Sequence, residues 1–74
     1  MIKIKREHFT YMGTTMEYEL EDGTMLHSND WNGEIYTIKK DGREISYRPI
    51  IEGIGEADED GEYSQYEIIG FEKL

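Results

Sequence analysis

Between Met12 and Arg48 the chain alternates apolar and polar side chains with a period of two, interrupted at near-regular intervals by glycine-containing pairs. That period is the mark of a strand with one face buried. The interruptions are Met12-Gly13, Asp22-Gly23, Asn32-Gly33 and Asp41-Gly42, spaced ten, ten and nine residues apart. Asp-Gly and Asn-Gly favour tight hairpins because a two-residue turn of type I′ needs positive φ at both central positions. Strands of seven or eight residues are left between them, and the pattern predicts an up-and-down antiparallel meander.

The predicted pairing has an internal check. A two-residue turn at Asp22-Gly23 sets Leu20 opposite Met25 and Tyr18 opposite His27. One at Asn32-Gly33 sets His27 opposite Ile38 and Trp31 opposite Glu34. One at Asp41-Gly42 sets Ile38 opposite Ile45 and Tyr36 opposite Tyr47. All three place Met16, Tyr18, Leu20, Met25, His27, Trp31, Tyr36, Ile38, Ile45 and Tyr47 on one face. Thr15, Glu17, Glu19, Leu26, Ser28, Asp30, Thr37, Lys39, Glu44, Ser46 and Arg48 fall on the other. A slip of one residue exchanges the faces, so the agreement argues for this register.

Extending the pattern backwards through Met12-Gly13 sets Phe9 opposite Met16, but then Lys5 points inward while Ile2 and Ile4 point out. Two readings compete here: a bulge near Arg6 to His8, which restores the phase, and a short helical turn over residues 5–11. At the other end, residues 62–72 read as a last strand with a kink at Gly70. An apolar sheet face must be covered, and Ile50, Ile51, Ile54, Tyr63, Tyr66, Ile68, Ile69 and Phe71 are the side chains left to cover it. The expectation is an all-β fold: one domain over 1–74, a small meander closing into a barrel or rolled sheet. In size and strand count it resembles SH3-like barrels.

Length and charge narrow the function. With 74 residues and no cysteine, the chain has one small core and neither a disulfide nor a thiolate metal site to reinforce it. No apolar run reaches the ~18 residues of a membrane span, and the basic first residues lead into no apolar signal segment, so the chain reads as cytoplasmic. The net charge is −9. Residues 1–48 contribute −2 of it. Residues 49–74 contribute −7, with Lys73 their one basic residue. Such a surface repels phosphates, which excludes direct nucleic-acid binding and disfavours anionic membranes, and it favours a basic protein partner.

Catalytic material is sparse. A hydrolytic triad needs Ser28, Ser46 or Ser64 with His8 or His27, and no serine lies on a glycine-flanked nucleophile turn. Ser28 and His27 are neighbours on a strand and point to opposite faces. His27 reads as a core histidine bonded to Tyr18 or a backbone carbonyl, His8 as a solvated partner of Glu17. Neither a catalytic residue nor a cofactor is assigned. The segment Glu56-Ala57-Asp58-Glu59-Asp60-Gly61, with Glu67 six residues on, resembles a calcium-binding loop through Glu56, Asp58, Asp60 and Glu67. It departs from that loop in the long side chain of Glu56, in Tyr63, and in lacking flanking helices. Trp31, Tyr36 and Tyr47, with Tyr11, offer an aromatic groove for a peptide or small ligand; the same rings serve equally as core.

The densest feature is Glu56, Asp58, Glu59, Asp60 and Glu62, five carboxylates in seven residues, preceded by Glu52. These six form the expected partner-binding set. In size and charge the chain is similar to small acidic inhibitors, among them phage anti-defence and toxin-immunity proteins, which occupy the basic groove of a nucleic-acid-handling protein. The leading expectation is therefore a non-enzymatic, acidic protein-binding module that mimics nucleic acid. A calcium- or small-ligand-binding domain is the alternative. Open sheet edges leave either a monomer or an edge-paired homodimer.

Overall fold

The computed structural model describes residues 1–10 and 15–74. The expected Met12-Gly13 turn, and Tyr11 with it, lies outside them. Six antiparallel strands form one sheet: β1 (Ile2–Phe9), β2 (Met16–Leu20), β3 (Met25–His27), β4 (Tyr36–Lys40), β5 (Arg43–Ile54) and β6 (Gln65–Lys73). Their order is β3-β2-β1-β6-β5-β4, and the sheet curls into a nearly closed barrel. The expected all-β architecture is therefore present, with its seam in an unexpected place.

The Asp41-Gly42 turn follows the sequence rule. Asp41 and Gly42 have φ of 53° and 77°, and the strands pair as expected, Tyr36 with Tyr47 and Ile38 with Ile45. The Asp22-Gly23 turn does not. The Gly23 N–H donates to the Leu20 carbonyl (3.0 Å) and the Leu20 N–H to that of Thr24 (2.8 Å), which makes a three-residue loop, with Gly23 at φ 91° supplying the left-handed closing residue. One extra loop residue reverses every side chain of β3. Tyr18 now pairs with Leu26, and Glu17 with His27. Leu26, expected outside, is 0% exposed, whereas Met25, expected inside, is 39% exposed.

The expected β3–β4 hairpin around Asn32-Gly33 is absent as well. After His27 the chain enters a 3-10 turn, Ser28–Asp30. There the Asn29 N–H donates to His27 Nδ1 and the His27 N–H to Asp30 Oδ2, each at 3.0 Å. Ser, Asn and Asp offer the backbone such local partners and so compete with a ladder. Asn32 Oδ1 then accepts from the N–H groups of Glu34 and Ile35. A single bridge, Trp31 to Tyr36, links the two sides of the seam. The helical element thus falls at 28–30; of the alternative site at 5–11, residues 5–9 are extended in β1, and Tyr11 lies outside the described residues.

The two ends of the chain join the halves of the sheet, through Ile2 opposite Phe71 and Lys3 opposite Gly70. Two bulges make this possible. One, at Lys5 between Ile4 and Arg6, lies slightly before the expected position and lets Ile2 and Ile4 pack on the core. The other, at Ile69 beside Gly70, brings both Ile68 and Phe71 to the inner face. A Cβ at Gly70 would lie 2.8 Å from the Ile2 carbonyl oxygen, so only glycine admits β1 there. The core is Tyr18, Leu20, Leu26, Tyr36, Tyr47 and Phe71. Phe71 meets Tyr18 and Tyr36 edge-on, with centroids at 5.4 and 5.5 Å.

The two turn geometries make opposite claims about β3, and truncation decides between them. Leu26→Ala is expected to cost about 2–5 kcal/mol in urea unfolding, and Met25→Ala no more than about 0.5 kcal/mol. The reverse ranking would restore the two-residue turn.

Candidate functional site

β4 pairs β5 only as far as Tyr47, and β1 reaches no further along β6 than Gly70. Yet β5 and β6 stay paired out to Ile54 and Gln65. Beyond the barrel rim they therefore form a two-stranded arm that ends in the loop 55–64. The principal extents of 47 × 31 × 22 Å and the radius of gyration of 13.9 Å record this projection, since a compact chain of this length has a radius near 11 Å.

The arm keeps the two-sidedness of the sheet it leaves. Its inner face continues the core face through Ile51 and Ile68, then Gly53 and Tyr66, which pair across the ribbon. No layer covers it among the described residues: Ile51 is 59% exposed and Tyr66 50%. Tyr63 folds back onto Gly53, where a Cβ would overlap its ring, and meets Tyr66 edge-on at 6.2 Å. Ile51, Ile54, Tyr63 and Tyr66 were expected to cover the barrel core and instead sit on the arm. On the outer face Glu52 stands directly opposite Glu67.

The tip loop is organised around Asp58. Its Oδ1 accepts from the N–H groups of Asp60 and Glu62, both at 2.9 Å, and its own N–H donates to the Glu62 carbonyl at 2.8 Å. Gly61 turns the chain at φ 80°. The Tyr66 hydroxyl donates to Glu62 Oε2 at 3.2 Å. This geometry differs from a calcium loop: Asp58 faces its own backbone, Glu67 lies in β6, and no group of three or more potential metal ligands converges among the described residues. Of the expected partner-binding set, Glu56, Asp58, Glu59, Asp60 and Glu62 lie together at the tip, with Glu52 on the ribbon below.

The other expected sites resolve differently. Tyr36 and Tyr47 are buried in the core, and burial pushes the Tyr36 hydroxyl above its ordinary value of 10.0. Trp31 caps the rim against Tyr36 at 4.8 Å. Of the three rings, Tyr36 and Tyr47 thus serve the core, and Trp31 stands half-exposed at the rim. His27 bonds the Asn29 N–H rather than Tyr18 or a carbonyl. His8 pairs in register with Glu17 but directs Nε2 to Glu19, at 3.6 Å.

Acids and bases are nearly balanced in number over residues 1–48, at a net −2, whereas residues 49–74 carry a net −7. Glu19 lies near Lys5, Arg6 and His8 at 3.4, 3.8 and 3.6 Å. Partial desolvation raises its pKa, but the Lys5 hydrogen bond, the Arg6 and Lys5 charges and the His8 hydrogen bond outweigh this and hold it below the ordinary 4.5. Arg48 and Glu72 bond at 2.6 Å where the arm leaves the barrel. Beyond that pair, residues 49–72 contain no lysine or arginine, and no described arm carboxylate from Glu52 to Glu67 has an ion-pair partner.

The fold and this site define a class: a small antiparallel β-barrel with a protruding, acidic, two-stranded arm. No protein-family model, curated protein or solved structure matches the chain. No helix among the described residues is long and apolar enough to cross a membrane.

Two measurements follow from the charge pattern. Like charges placed directly across a ribbon destabilise it, and an opposite pair contributes about 0.2–1 kcal/mol. Glu67→Lys is therefore expected to raise the melting temperature, with the gain shrinking as salt screens it; a lower melting temperature would contradict the Glu52–Glu67 pairing. Glu19 has a folded-state pKa below its ordinary value, so its contribution is complete above pH 4.5 and lost as pH falls through the lowered folded value. The stability difference between the native chain and Glu19→Gln should accordingly narrow as pH falls from about 4.5 toward 3.

Proposed function

We propose that this chain is a non-enzymatic protein-binding module, an acidic inhibitor that presents the arm to a basic surface of a nucleic-acid-handling protein. The carrying observation is the segregation of charge: six carboxylates from Glu52 to Glu62 lie on a projecting element with no basic residue of its own. Within the chain these carboxylates gain nothing from being together. Their mutual repulsion is relieved when a partner supplies cations, and the field they create speeds the encounter. Projection lets the tip enter a groove that a barrel wall cannot reach. The arm's carboxylates then stand where the phosphates of a nucleic acid would, and the inhibitor competes with that ligand. Phage anti-defence and toxin-immunity proteins of this size and charge act on such surfaces, which is the class of role we assign.

Both histidines fit a binding module better than an enzyme. His27 is engaged by the 3-10 turn and His8 by the Glu19 cluster. The partner reads the tip, so the immobilised native domain is expected to hold it at low salt, release it progressively as salt rises, and lose it to added nucleic acid. Asp58→Lys, Glu59→Lys and Asp60→Lys together should abolish retention, with circular dichroism showing the barrel intact. Retention by the folded triple variant would end this reading.

A further inference from the structure

Both strands of the arm leave an edge unpaired, β6 beyond Gly70 and β5 beyond Tyr47, and the β5 edge carries a second kind of unsatisfied chemistry, in its backbone. Leu74 donates its N–H to the Ser46 carbonyl at 2.9 Å, which puts Ser46 in the hydrogen-bonded set facing β6. In an antiparallel ladder alternate residues direct their backbone groups to opposite sides. Arg48, Ile50 and Glu52 therefore turn toward β6, while Tyr47, Pro49, Ile51 and Gly53 turn the other way. Tyr47 meets Tyr36 of β4 there. Beyond Tyr47 no strand pairs with that side of β5 among the described residues. Pro49, which has no N–H to offer, stands at the start of the open stretch, where a proline is tolerated on an edge.

Among the described residues the N–H and carbonyl groups of Ile51 and Gly53 on this side meet no backbone partner; they lie in line with β4, ready for a further strand. Side chains of an added strand would alternate between two different surroundings. On the inner face they meet Ile51, Tyr63 and Tyr66, which are apolar and uncovered. On the outer face they meet Glu52 and Glu67, which have no cation. A second copy of this chain is a poor occupant, since each carries a net charge of −9 and no base on its arm.

Building on the basic-partner reading above, we propose that the open edge of β5 at Pro49–Ile54 accepts an extended segment of the partner as an added strand, one whose side chains alternate between apolar and basic. Main-chain hydrogen bonds supply affinity, and the alternate pockets supply specificity. The tip carboxylates steer the encounter, and the edge fixes the register.

The test uses the full chain and two peptides of one composition, acetyl-KVKVKVK-amide and its block isomer acetyl-KKKKVVV-amide, at low salt. The expected result is tighter binding of the alternating peptide, with exchange of the Ile51 and Gly53 amide protons slowed by about tenfold or more. Ile51→Pro, which removes one edge donor, should abolish the preference while leaving the barrel amides protected. Equal binding of both peptides, with shifts confined to the acidic residues and no slowing at Ile51 or Gly53, would overturn strand addition and leave the charge-driven reading standing. Failure of both peptides to bind would overturn the two together. Sedimentation showing self-association that protects Ile51 and Gly53 without peptide would assign the edge to a second copy instead.

Discussion

The structure depends on how Phe71 is seated among Tyr18 and Tyr36. Three rings in mutual edge-on contact fill the barrel at one level, and Leu20, Leu26 and Tyr47 complete the buried core around them. Aromatic rings bury large areas and prefer this tilted geometry. Phe71 gets there because the Ile69 bulge shifts the phase of β6 by one residue, so that Ile68 and Phe71 both point inward. The same stretch receives β1, which pairs at Phe71 and Gly70. Core filling and the joining of the two halves are thus decided within four residues, 68–71.

That arrangement also explains the arm. The two halves of the barrel are joined once β6 has delivered Phe71 and β1 has paired with it. β5, at twelve residues, is much longer than the five-residue β4 beside it. Its surplus pairs only with β6 and leaves the rim as a ribbon. An isolated two-stranded ribbon is marginal in water. Here it continues directly from the paired β5 and β6 of the barrel, with Arg48 bonded to Glu72 across its base, and Tyr63 covers the gap above Gly53. The ribbon still carries an uncovered apolar face and an opposed Glu pair. Such local costs are commonly retained at sites that meet a partner.

Much of the barrel was legible because period-two alternation is a strong constraint. The Asp41-Gly42 hairpin was read correctly because both turn residues adopt positive φ and no local partner competes. The β3 register differs from the expected one because Asp-Gly serves two loop lengths, and here Asp22 Oδ1 accepts the Thr24 N–H while Gly23 closes a three-residue loop. Asn32-Gly33 looked like a hairpin, but His27, Asp30 and Asn32 each bond nearby N–H groups and divert the chain. The arm was not legible. Ile50, Ile51 and Ile54 looked like core material because composition cannot say where β4 stops pairing. The acidic cluster itself was plain in the sequence; its elevation on a ribbon, and the open edge beneath it, required the topology.

The central claim is that β5 and β6 project beyond a barrel built around Phe71, and small-angle X-ray scattering of the monomer in solution tests it most directly. The account requires an elongated particle, with a radius of gyration near or somewhat above 13.9 Å and a distance distribution tailing toward the 47 Å long axis. A symmetric distribution with a radius near 11 Å would mean that the ribbon folds back over the barrel, and would contradict it.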